Sequence, residues 1–156
     1  MRLKKYYSAR EVASLTGVSA VQMRWWDAHA LVTPAVPSHP TEAGGFTERR
    51  YLPLEIYELL ALDELDRRGF SARAAKQALD ALRGRFGVGL YDAVWGNGVR
   101  LLTDETDIYV RTERGEYFNL LRAPEQPLLV VSEKDLRELT LRTRTRPRAM
   151  RKRGRE

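Results

Sequence analysis

Cysteine is absent from the 156 residues, which excludes a disulfide framework, a thiolate metal site and a thiol nucleophile. No run of about 18 apolar residues occurs, so nothing reads as a membrane-spanning helix. The opening Met-Arg-Leu-Lys-Lys-Tyr-Tyr-Ser lacks the apolar core of a signal peptide. Histidine is scarce: His29 and His39 have no metal-ligand partner at a useful spacing, so neither metal nor cofactor is expected. The turn Gly96-Asn97-Gly98 lacks the following Lys-Ser/Thr of a phosphate loop. No Ser-His-Asp arrangement can be defended either, and an enzyme is not expected. From these absences the expected location is the cytoplasm.

Basic residues are plentiful but unevenly placed. Residues 1–86 hold thirteen Lys and Arg against ten Asp and Glu; residues 87–141 hold six against ten. Residues 142–156 hold eight against one, so most of the formal charge of +6 resides in the final stretch. A polyanion partner and a solubilising tail are both consistent with that distribution. The Arg-Thr alternation after Arg142 offers little to bury, and a disordered tail is expected.

Residues 7–34 carry the strongest local signal. Ser8 and Glu11 have the spacing of a capping box, and Ser19 and Gln22 repeat it. Thr16-Gly17 between them supplies a sharp turn, because glycine reaches positive φ at little cost. Two short helices joined this way form a helix-turn-helix signature, whose second helix commonly enters a DNA major groove. Beyond Pro34, a loop rich in proline and glycine returns through the extended segment Phe46–Leu52, as a wing would. Pro53 opens a third helix with Ile56, Tyr57, Leu60 and Leu65 on its apolar side, ending at Gly69. Phe70-Ser71 starts a fourth, whose Ala75, Ala78, Leu79, Leu82 and Phe86 share a face. After Gly87 the pattern changes to β-prone runs at Val99–Leu102, Ile108–Arg111, Tyr117–Leu121 and Leu128–Val131, with a final helix expected from Ser132.

Four elements in order resemble the MerR family of bacterial transcription regulators, over about residues 6–86. They are Glu11-Val12-Ala13 through Gly17-Val18-Ser19, Met23-Arg24-Trp25-Trp26-Asp27 with Leu31-Val32-Thr33-Pro34, Arg49-Arg50-Tyr51, and Gly69-Phe70-Ser71. The resemblance implies a winged helix-turn-helix that reads a palindromic operator as a homodimer and distorts promoter DNA for RNA polymerase. Three departures accompany it. The wing segment is longer, Val21 stands where a basic residue is common, and glycine followed by β-prone sequence replaces the long dimerising helix after residue 86.

The expected architecture is α+β: a four-helix winged helix-turn-helix domain over residues 1–86, a small antiparallel β-rich dimerisation or sensing domain over 87–141, and an Arg-rich tail over 142–156. Arg24 is placed to reach phosphate or a guanine edge, unless an ion pair with Glu11 or Asp27 occupies it. Gln22 either reads adenine or caps Ser19, and Ala20 and Val21 either contact thymine methyls or simply pack nowhere in particular. Adjacent Trp25 and Trp26 cannot both face inward. Trp26 is expected in the core and Trp25 at the sugar–phosphate backbone through its indole N–H. On the wing, the resemblance directs Arg49 and Tyr51 toward DNA and leaves Arg50 the spare charge, with a packed role for Tyr51 as the competing reading. The expected partners are double-stranded DNA and a second copy of the chain, with a toxin or RNA polymerase as protein partner. The competing functions are an antitoxin that binds its toxin through the C-terminal half and represses its own promoter, and a nucleic-acid binder driven by the tail alone.

Overall fold

A computed structural model describes residues 5–37, 39–45, 47–129 and 131–140. The Arg-rich tail expected from Arg142 lies outside the described residues. Contacts divide the chain into two units, Met1–Leu60 and Ala61–Leu141, apart from the tail.

The first unit is built on local capping. Strand β1, Tyr7–Ser8, runs directly into helix α1, Ala9–Thr16. Ser8 Oγ accepts from the Glu11 amide at 3.1 Å, and Glu11 Oε1 accepts from the Ser8 amide at 2.9 Å. Two otherwise orphaned donors are thereby satisfied by two residues. Gly17, at φ 80°, turns the chain. Thr16 Oγ1 braces that turn by donating to the Val12 carbonyl and accepting from the Val18 amide. Helix α2, Ala20–Ala28, starts at Ser19, whose hydroxyl accepts from the Gln22 amide at 3.0 Å. It ends in a Schellman-type pattern, with Ala30 N–H on the Asp27 carbonyl and Leu31 N–H on the Trp26 carbonyl.

The loop from Pro34 to Leu52 is a hairpin. Val36 bridges Arg50 antiparallel, His39 and Thr47 exchange hydrogen bonds, and Thr41 to Gly45 closes the tip. Within the extended return segment, strand β2 is Arg50–Tyr51 alone, paired with β1 as Tyr7↔Tyr51 and Ser8↔Arg50; Phe46 lies outside the described residues. Pro53 takes the first position of helix α3, Pro53–Arg67, where a missing amide costs nothing. Glu55 Oε1 accepts from both Leu52 N (2.8 Å) and Ala35 N (3.1 Å), so one carboxylate oxygen fastens both feet of the wing. Val12, Val18, Met23, Trp26, Leu31, Val32, Tyr51 and Leu59 are buried in this unit.

In the second unit, Gly69 at φ 96° ends α3, and Ser71 caps helix α4, Ala72–Phe86, which stops at left-handed Gly87. The short helix α5, Leu90–Trp95, follows. Strands β3 (Arg100–Thr103), β4 (Ile108–Arg111), β5 (Tyr117–Asn119) and β6 (Arg137–Glu138) form an antiparallel sheet of order β5-β4-β3-β6. Leu101, Leu102, Ile108, Val110, Phe118 and Leu120 supply its buried side chains. Arg68 fastens the edge strand: it donates to Thr103 Oγ1 and to the carbonyls of Arg137 and Glu138 while paired with Glu64.

Four expectations are corrected. On α3 the buried residues are Leu59, Ala61, Leu62 and Leu65, while Tyr57 is exposed and Ile56 and Leu60 are half-buried. Leu90–Trp95 is helical rather than part of the β region. The run at 128–131 forms no strand among its described residues: Pro127 has no amide to donate, and Leu128 N–H makes a single bond to the Tyr117 carbonyl before Leu129 turns fully to solvent. Ser132 leads into one 3-10 turn, Glu133–Asp135, and then strand β6, not a helix. No described helix is long and apolar enough to cross a membrane.

Candidate nucleic-acid interface

Helix α2 has two unlike sides. Met23 and Trp26 are buried, each about 2 % exposed, and anchor the helix. Ala20, Val21, Arg24, Trp25, Ala28 and His29 are exposed. Their spacing of one and four residues makes a single outer stripe. The division between Trp25 and Trp26 is the one expected from their adjacency.

Arg24 has no partner among the described residues. The acids that could have taken it are engaged: Glu11 in the α1 capping box and Asp27 with Arg49. Gln22 is half-buried, and only its backbone serves Ser19. The reciprocal side-chain bond of a capping box does not form, so the carboxamide retains its two donors and its acceptor. Ala20 and Val21 occupy the first turn, with Val21 two-thirds exposed. Trp25, 40 % exposed, lies in a parallel stack with His29, centroids 3.6 Å apart.

On the wing the packed alternative for Tyr51 is the one found, and the expectation that it faces a ligand is corrected. Tyr51 is fully buried and its hydroxyl has no hydrogen-bond partner among the described residues. Burial first, and the nearby carboxylates of Asp27 and Glu55 after it, push that phenol up to about 12 against the opposing pull of Arg49. Tyr51 therefore holds the wing to the body and presents nothing to a ligand. Arg50, one residue earlier in an extended strand, points the other way and is exposed without an ion pair among the described residues. Arg49 is half-buried, its Nε donating to Asp27 Oδ2 at 2.7 Å. That bond ties the wing to α2, so Arg49 acts as a brace as well as a charge. Sequence reasoning passed over two participants. Asp27 enters the sequence reading as an ion-pair partner for Arg24, and His29 as a structural or solvent-facing residue rather than a ligand; the four-residue step from Trp25 is the available signal for His29.

Among the described residues, no group of His, Cys, Asp or Glu is disposed to hold a metal ion. What the first unit offers is an exposed helix stripe with Arg24, half-buried Gln22 at its edge, both unpaired among the described residues, beside a hairpin that displays Arg50. Helix-turn-helix plus wing defines a class, the winged DNA-binding domains. Within that class, residues 7–82 match the MerR HTH family regulatory protein, and they form a MerR-type regulatory domain. No curated protein matches the chain. The family assignment makes the head a DNA-binding, transcription-regulating module of a typically non-enzymatic kind.

Proposed function

We propose that the chain is a sequence-specific transcriptional regulator that binds a palindromic operator as a homodimer. Helix α2 lies in the major groove, with Arg24 and Gln22 on base edges or phosphate and Ala20 and Val21 beside thymine methyls. Trp25 and Arg50 meet the sugar–phosphate backbone to either side, and Arg49 holds the wing in register through Asp27. The observation that carries this reading is that, among the described residues, neither the guanidinium of exposed Arg24 nor the carboxamide of half-buried Gln22 has a side-chain partner. Polar groups of this kind on a reading helix are the ones that discriminate bases. Residues 87–141 serve pairing or sensing.

Selection of bound sequences from a random duplex library, with the full chain at near-physiological salt, tests this proposal. A consensus of two inverted half-sites is expected, and their centre-to-centre spacing reports how the subunits pair. Retention governed by salt alone, with no consensus, overturns the operator reading in favour of a tail-driven binder or an antitoxin that needs its partner.

A further inference from the structure

We infer that His29 is a positioning residue for Trp25, fixing the indole in one orientation on the exposed side of α2 so that its ring N–H is ready for a backbone phosphate of duplex DNA. This assignment rests on the DNA-binding reading above. The two rings are 3.6 Å apart between centroids and 11° from parallel. The imidazole is itself held, with Nδ1 2.8 Å from the Trp25 carbonyl oxygen. A carbonyl only accepts, so Nδ1 carries the proton and the ring cannot turn without breaking that bond. His29 is thus anchored on the backbone of the residue whose side chain it covers.

Neither ring belongs to the core, since both residues are exposed. Trp25 Nε1 has no acceptor among the described residues, and an indole N–H is a donor only. A free surface tryptophan populates several rotamers and surrenders that freedom on binding. Here the selection is made during folding, so the complex forms without that loss. Histidine suits this place because it combines a flat face for the stack with a ring donor for the carbonyl. It also stands at the end of α2, at φ −104° and ψ 14°, where it interrupts no helical hydrogen bond.

The test is a double-mutant cycle in the full chain on a duplex recovered from the selection. His29→Ala is expected to weaken binding by about 2- to 10-fold, the range for one side chain immobilised at an interface. It is expected to change nothing further in a Trp25→Ala background, whereas His29→Phe, which keeps the flat face but lacks the donor to the Trp25 carbonyl, recovers part of the loss. Tryptophan emission should shift in His29→Ala while the melting temperature stays within about 2 °C. Equal losses in both backgrounds would show that His29 touches DNA directly and overturn the assignment, as would no loss at all. If the parent chain selects no duplex, the DNA reading itself falls and takes this assignment with it.

Discussion

Arg24 and Tyr51 separate two roles that adjacent motif positions easily conflate. Arg24 is exposed and unpaired among the described residues; Tyr51 is enclosed. Arg24→Ala is expected to cost about 1–3 kcal/mol in specific binding if it reads a base, and the same amount on every duplex if it meets phosphate. Tyr51→Phe should leave affinity within twofold, because the phenol reaches no surface, and should not lower stability, because it removes a buried hydroxyl left unbonded. Fluorescence titrations on matched and scrambled duplexes distinguish these outcomes. Ala30 poses a different residue-scale problem. At φ 59° it is the one described non-glycine residue with positive φ, and a Cβ there is strained. Ala30→Gly is expected to stabilise by about 0.5–1 kcal/mol, after allowing for the looser unfolded chain, and to raise Tm by a few degrees. An unchanged Tm would mean that the exit of α2 relaxes around alanine at no cost.

At the scale of elements, the structure rests on turns with strong side-chain chemistry, and these are the parts most legible beforehand. Ser8, Ser19 and Ser71 cap three helices, while Gly17, Gly69 and Gly87 end three, because each acts within a few residues of itself. The burial face of α3 was illegible for the opposite reason. Leu54, Ile56, Tyr57, Leu59, Leu60, Leu62 and Leu65 surround the helix, so periodicity favours no side and tertiary packing decides. Helix α5 has only six residues, including β-prone Tyr91, Val94 and Trp95, and yields no periodic signal. The wing motif is legible, but which way Tyr51 faces is not, since a two-residue strand gives alternation without saying which side is inside. The turn from β3 to β4 illustrates how charge serves such an element. Asp104 accepts from the amides of Thr106 and Asp107 and from the Tyr109 hydroxyl at 2.7 Å. Burial alone would raise its carboxyl, but these hydrogen bonds outweigh that and hold it below the ordinary range. A carboxyl lowered in the folded state stabilises above the unfolded range near pH 4 and loses that contribution as pH falls through its folded value. Asp104→Ala should therefore cost about 1–2 kcal/mol at neutral pH and progressively less in acid, as read by denaturant unfolding at several pH values.

Across the whole molecule, charge and shape are separated along the chain. The acids outnumber the bases in residues 87–141, and the strongest excess of bases follows in residues 142–156, outside the described residues. Deleting 142–156 is expected to flatten the dependence of non-specific binding on salt concentration, because fewer counterions are released, while the selected consensus stays the same. Loss of the consensus on that deletion would move sequence reading from α2 to the tail. Among the described residues no long helix follows α4: α5 spans six residues and the sheet begins at Arg100. Pairing of subunits through a long coiled coil thus has no element to use among the described residues. The fastening of the wing carries a mechanical consequence. Glu55 grips both of its feet and Arg49 braces it to Asp27, so the hairpin and helix α2 keep a set separation, like the jaws of a locked caliper. Adjustment between the two surfaces then falls to the duplex. On the proposed DNA reading, sites whose groove width already matches the gap are therefore expected to bind without bending work, and stiff sequences of the wrong width to bind more weakly even at base pairs that no side chain touches.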